Sequence, residues 1–168
     1  MHATLNHPDP AAQYGFYEGV PPKRLIAWLI DIAITAPIAL PFMLPFLMTA
    51  FPIVPLFALP VIWALVGFFY RWTTLANGSA TWGMRLMAIE LRERGGGLLT
   101  GSTALMHTLG STLSFAFPLI QAISVLFMAM DNKGQGLTDM VLGTAMLNRV
   151  APYAPPGNDG LWRGGQSW

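Results

Sequence analysis

Cysteine is absent from the chain, which excludes a disulfide frame, a thiolate nucleophile and any cysteine-ligated zinc site, and leaves the redox compartment unreadable. Charge is scarce as well. Charged residues make up 10% of the 168 positions, against about 25% in an ordinary soluble domain, too few to cover a water-borne surface. The net charge of +1 provides no basic stripe to neutralise a phosphate backbone, so nucleic acid is not an expected partner. No nucleophile–base pair stands out. His2 and His7 make no metal-ligand spacing, and the glycines of "GSATWG" lack the strand–loop–helix setting and the lysine of a phosphate loop. Neither an enzyme nor a bound cofactor or metal is therefore expected. With 54% of residues apolar, the composition instead makes a lipid bilayer part of the solvent.

Residues 1–22 hold Asp9, Glu18 and six prolines and glycines without an apolar core, the pattern of a disordered cytoplasmic tail and not of a cleavable leader. Insertion is then expected to fall to the first span. Leu25 to Met48 is apolar apart from Asp31 and Thr35, and as helix it would measure about 36 Å, enough to cross a hydrocarbon core of about 30 Å. Pro37, Pro41 and Pro45 recur within it, followed by Pro52, Pro55 and Pro60. Because each removes a donor and crowds the preceding turn, the expected layout is a span from about Lys23 to Pro41–Pro45. A proline-rich turn near Thr49–Pro55 and a second span from about Leu56 to Trp72 follow. Tyr70, Arg71 and Trp72 look like an interfacial anchor.

Residues 73–101 carry Arg85, Glu90, Arg92, Glu93 and Arg94 and belong at the membrane surface. Within them "MRLMAIEL" fits either a short strand or an interfacial helix, and "RERGGG" is a turn. Leu98 to Met130 is apolar with His107 as its single ionisable group and Pro118 near its middle. Two readings fit: an interfacial helix leading into a span from about Ser111 to Met130, or a broken re-entrant pair. The segment 136–150 is too short to cross and suits a surface helix or strand. Lys23 and Arg24 precede the first span, no basic residue separates spans one and two, and four lie between Arg71 and Arg94. The amino terminus and the 73–101 loop are accordingly expected in the cytoplasm. Three crossings and four both remain open, the basic residues Lys133, Arg149 and Arg163 favouring an even number. The expected fold is an all-α membrane protein: a polytopic helical bundle with three or four membrane-embedded segments, a domain over 23–150, and disordered tails at 1–22 and 151–168.

Arg24 and Asp31 are seven residues apart, two helical turns and about 10.5 Å along the axis. Arg24 can reach the headgroups. Asp31 is costlier, about 2.5–3.5 kcal/mol if central in a span, so it is expected to face protein or a wet cleft, either as a cation or proton site or as a structural bridge. Asp139 either pairs with Arg24 across the bundle or caps a helix beginning near Met140. His107 is either a proton shuttle or a hydrogen-bonded packing residue. Gly110, Ser111 and Ser114 are small enough to supply a helix contact.

Three stretches together resemble the RDD family of membrane proteins, named for one arginine and two aspartates. "RLIAWLIDIAI" is similar to its first-helix motif, with Arg24 and Asp31 at the named positions. "ATWGMRLMAIEL" is similar to its surface-loop motif of the form T-x-G-K, and "GQGLTDMVLGTAML" to its closing D-x-x-x-G-T, which gives Asp139 the second aspartate's place. Met84 stands where a lysine is common, and His107 near a position often held by arginine. The resemblance implies a multi-pass protein of a bacterial cytoplasmic (inner) membrane. Transport of unidentified ligands has been proposed for the family, and cation/proton exchange is associated with some members.

The expected site is thus a network of Arg24, Asp31 and Asp139 near the cytoplasmic face, with His107 as a proton shuttle. It suits either a small transporter or cation/proton antiporter subunit, or a non-transporting scaffold or assembly factor whose charges fix helix packing. Arg85, Arg92 and Arg94 are expected to touch anionic lipid. So small a bundle has little interior, so a homo-oligomer or a membrane partner protein is expected beside the bilayer itself.

Overall fold

Two proline-bearing helices carry most of the apolar sequence in the computed structural model, which describes residues 7–49, 51 and 53–149. Helix α1 runs over Val20–Leu47. Gly19, in the left-handed region at φ +66°, turns the chain into it, and two prolines fill its first turn, where a missing N–H costs nothing. The helix does not stop at Pro41–Pro45 but passes through all three internal prolines. Each proline forfeits one helical hydrogen bond, whereas unwinding at bilayer depth would strip many backbone groups of partners at once. Helix α2, Ile53–Ala76, likewise carries Pro60. Both are long and apolar enough to cross a membrane. Their flanks leave Phe42, Leu44, Leu56 and Phe57 exposed, which hydrocarbon accepts.

The apolar stretch that follows is a broken pair. Helix α4 covers Gly101–Ala116 and α5 covers Pro118–Met130, and they meet at a bend of 117°. Phe117, extended ahead of Pro118, is the hinge, because the residue before a proline is pushed out of the helical region. Between the long helices and this pair lies α3, Trp82–Leu86, followed at once by strand β1, Ile89–Arg92. The segment for which helix and strand both fitted contains both, separated by Ala88 at φ +53°. Helix α6, Leu137–Leu142, and strand β2, Ala145–Asn148, repeat that pattern at the end of the described chain, so the described residues are mostly helical with one two-stranded sheet.

Strands β1 and β2 pair antiparallel, Ile89 opposite Asn148 and Arg92 opposite Ala145. This ladder fixes the connectivity. It ties the α2–α4 connection to the segment after α5, so both lie in one layer of the fold. Lys23 Nζ donates to Asn148 Oδ1 at 2.7 Å, placing the start of α1 there too. The two ends of the α4–α5 pair consequently meet the same layer, and two helices, or three if the bent pair is one span, are long and apolar enough to cross a membrane.

The main buried apolar cluster sits in this surface layer, where Ile89, Leu91 and Met146 pack with Val20, Leu75 and Met84. Along α2 only Leu75 is buried. Residues 7–19, expected within a loose tail, pack against the layer: Tyr17 is buried and donates to the Pro8 carbonyl at 2.8 Å, and Asn148 Nδ2 donates to the Gly15 carbonyl at 3.0 Å. The expected carboxyl-terminal tail, 151–168, lies outside the described residues.

Candidate functional site

Asp139 is the third residue of α6, and its position there decides its chemistry. One carboxylate oxygen, Oδ2, accepts the Gly136 N–H at 3.1 Å, capping the helix start, and also accepts Arg24 Nη1 at 2.6 Å. The other oxygen accepts His107 Nε2 at 2.8 Å and the Thr144 hydroxyl at 3.1 Å. Capping and pairing, the two alternatives for this residue, occur together. Gly143, left-handed at φ +68°, closes α6 and returns the chain so that Thr144 meets the carboxylate. Four donors fill the four lone-pair sites of an ionised carboxylate. Burial alone would push the Asp139 carboxyl up, but the Arg24 guanidinium and His107 outweigh it and hold the group well below the usual carboxylate range. An ionised carboxylate only accepts, so His107 Nε2 carries the proton between them.

Asp31 is not part of that cluster. No ion pair within 4.0 Å joins it to Arg24 among the described residues, and the expected company of Arg24 is replaced by three other donors. Tyr70 on α2 donates its hydroxyl to Oδ1 at 2.7 Å, the Gly83 N–H donates to the same oxygen at 2.8 Å, and the Thr81 hydroxyl donates to Oδ2 at 2.6 Å. Thr81 simultaneously caps α3, its oxygen accepting the Met84 N–H at 3.2 Å. Gly83 lies so close to α1 that a Cβ there would overlap the Ala27 carbonyl oxygen and sit 2.8 Å from Asp31 Oδ1. The threonine and glycine of "ATWG" therefore build the Asp31 site, and Asp31 pins α2 and α3 to α1.

The arginine and two aspartates thus form two separate locks, both on the wall of one cavity of about 410 Å³. Its polar side includes Arg24, Asp31, His107 and Asp139, and its apolar side is formed by residues of α1, α4 and α5. Trp28 of α1 stacks on Phe115 of α4 with ring centroids 5.7 Å apart. Ser114 donates to Gln121 Oε1 at 2.7 Å across the α4–α5 bend, and Ser124 accepts the Leu137 N–H at 3.1 Å. Gly110 meets α6, where a Cβ would lie 2.7 Å from the Thr138 methyl carbon. No group of three or more metal-ligating side chains occurs among the described residues.

The surface arginines are placed apart from this chamber. Arg92 pairs with Glu90, which also accepts Arg149 at 3.0 Å. Arg85 lies 4.9 Å over the Trp82 ring, and Arg94 is exposed. Tyr70 and Arg71, expected as an interfacial anchor, instead turn inward, Tyr70 to Asp31 and Arg71 to the chamber wall. Met84, in place of the lysine common in the loop motif, is 3% exposed and packs into the apolar cluster.

A family model described as RDD matches residues 20–143, most of the chain. No curated protein and no solved structure matches it.

Proposed function

The chain belongs to the RDD family, and from that premise we propose that its arginine and two aspartates act as helix locks that hold a membrane-embedded chamber in shape. The observation that carries this reading is saturation: Asp139 accepts four hydrogen bonds and Asp31 three, all from this chain. A carboxylate whose lone pairs are committed in this way has little capacity left for an incoming cation. The Arg24–Asp139–His107 cluster joins α1, α4 and α6, and Asp31 joins α1, α2 and α3, so the locks tie α1, α2 and α4 to the surface layer, while α5 is held there by Ser124. The protein is then a non-enzymatic membrane module that binds or scaffolds. It lies in a bacterial-type inner membrane, with the face carrying Lys23, Arg24 and the α2–α4 connection in the cytoplasm.

Cation/proton exchange is the second reading, and one observation favours it: Asp31 lines the chamber with no ion pair within 4.0 Å among the described residues. The two readings separate in proteoliposomes. Wild type, Asp31→Asn and Asp139→Asn are compared for thermal stability and for sodium- and potassium-dependent proton flux. The lock reading expects both variants to lose stability and no flux that depends on either carboxylate. Wild-type flux abolished in a variant of unchanged stability would establish exchange instead.

A further inference from the structure

Of the two arginines on the chamber wall, Arg71 is the one that neither lock uses. It stands five residues before the end of α2, about 7.5 Å of helix from the surface layer, and its side chain forms part of the chamber wall. Its Nε is sealed from solvent without a hydrogen-bond partner, and no hydrogen bond or ion pair holds its guanidinium among the described residues. The nearest carboxylates, Asp31 and Asp139, attract it through space but spend their hydrogen bonds elsewhere, Asp139 on Arg24 and His107, Asp31 on Tyr70, Thr81 and Gly83. A guanidinium brings five donors in a planar fork; Nε is the one sealed without a partner, which is costly in largely apolar surroundings. His107, also on the wall, carries a buried Nδ1 without a partner. A group that met this fork would bring oxygen acceptors to the Arg71 end of the cavity, and a carboxylate or phosphate does so with matching geometry and charge.

The rest of the chamber defines the remainder of the ligand. Beyond the polar wall it is lined by Leu25, Trp28, Phe115, Val125 and Met128, and its volume of about 410 Å³ falls within the range of about 300–1,000 Å³ of small-molecule pockets. We propose that this chamber binds an anionic lipid, its carboxylate or phosphate received by the Arg71 fork and its hydrocarbon lying along α5 against Trp28 and Phe115. The depth of Arg71, within reach of the headgroup layer from the end of a span, makes the bilayer the natural source. Arginine is suited to the task because it grips a carboxylate or a phosphate through two parallel hydrogen bonds. The site differs from the surface arginines Arg85, Arg92 and Arg94, and it does not depend on whether the aspartates carry ions.

The test is photo-labelling of the purified full chain with a diazirine fatty acid, its methyl ester, a diazirine phosphatidylglycerol and a diazirine phosphatidylcholine, with labelled residues located by mass spectrometry. The acid, the phosphatidylglycerol or both are expected to label α1, α4 and α5 residues of the chamber wall, and which of them does so identifies the lipid class. A charge-assisted pair of about 1.5–3 kcal/mol corresponds to about tenfold to a hundredfold in binding constant, read as labelling at probe concentrations well below saturation. The ester and phosphatidylcholine are therefore expected to label at least about tenfold less than their anionic counterparts, as is Arg71→Gln with the anionic probes, while Arg71→Lys retains part of the labelling. Chamber labelling in wild type that is no greater for either anionic probe than for its neutral counterpart, acid against ester and phosphatidylglycerol against phosphatidylcholine, overturns the proposal without requiring any variant to fold. So does labelling confined to the outer lipid-facing surfaces, or chamber labelling that survives Arg71→Gln undiminished.

Discussion

Replacing Asp139 by asparagine keeps the shape of the side chain and removes its charge. The amide oxygen can still face Arg24 and Gly136, and the amide nitrogen can face His107 and Thr144, both able to accept. What is lost is the counter-charge to Arg24, whose side chain is 15% exposed against 1% for Asp139. Breaking a buried pair from one side costs about 3–5 kcal/mol, and the partial exposure of Arg24 puts the expected value at the low end, about 3 kcal/mol. For a chain of this length, that is a fall in midpoint of about 6–12 °C, measurable in detergent by the temperature at which the size-exclusion peak is lost. In the double variant with Arg24→Gln the losses should be less than additive by about 1–3 kcal/mol, because neither charge is then stranded. The pH dependence has a definite sign. The folded-state carboxyl lies below its ordinary value, so its stabilising contribution is complete above about pH 4 and is lost as pH falls toward the depressed folded value. Asp139→Asn should lack that acid limb. A midpoint change below about 2 °C, or strict additivity with Arg24→Gln, would refute the lock.

Gly83→Ala forces a Cβ into the Ala27 carbonyl and against Asp31 and should cost about 1–3 kcal/mol. Gly67→Ala in α2, where nothing lies within 4 Å, should be neutral or stabilising by up to about 1 kcal/mol, so equal losses in thermal midpoint at the two sites would contradict the close approach of α3 to α1. The chain lacks cysteine, so single cysteines report topology cleanly. Arg94→Cys and Asn132→Cys, both at exposed positions, should react with a membrane-impermeant maleimide from the same side of oriented vesicles, and Thr49→Cys from the other. Opposite labelling of the first two would show that α4–α5 crosses instead of returning.

Much of the architecture was legible because lipid imposes a coarse code: long apolar runs for α1 and α2, a proline-split run for α4–α5, and charged connections between them. The end of α1 was not. Proline chemistry predicts a stop at Pro41–Pro45, yet the helix reaches Leu47, since in a bilayer the alternative to a weakened helix is worse. Arg24, Asp31, Asp139 and His107 stood out in sequence because each is an ionisable group in apolar surroundings, and the structure brings three of them into one cluster while giving Asp31 its own. The partners of Asp31 lie 39 to 52 positions away and are ordinary residues, a tyrosine, a threonine and a backbone amide. No local pattern marks them, although the threonine and glycine of "ATWG" were the available signal. Arg71 was hidden for a different reason. An arginine at the end of a span looks like a headgroup anchor, and only the rotation of α2 shows that it faces inward.

The lock requires that the Asp139 carboxylate keep its charge. An infrared titration of reconstituted protein, taken as the difference between wild type and Asp139→Asn, reports that one carboxyl directly. The lock predicts an ionised carboxylate band unchanged from about pH 9 down to about pH 4, where an ordinary carboxyl begins to protonate, and no carbonyl band of the protonated acid across that range. A protonated-acid band growing in near neutral pH would contradict it and make Asp139 a proton carrier.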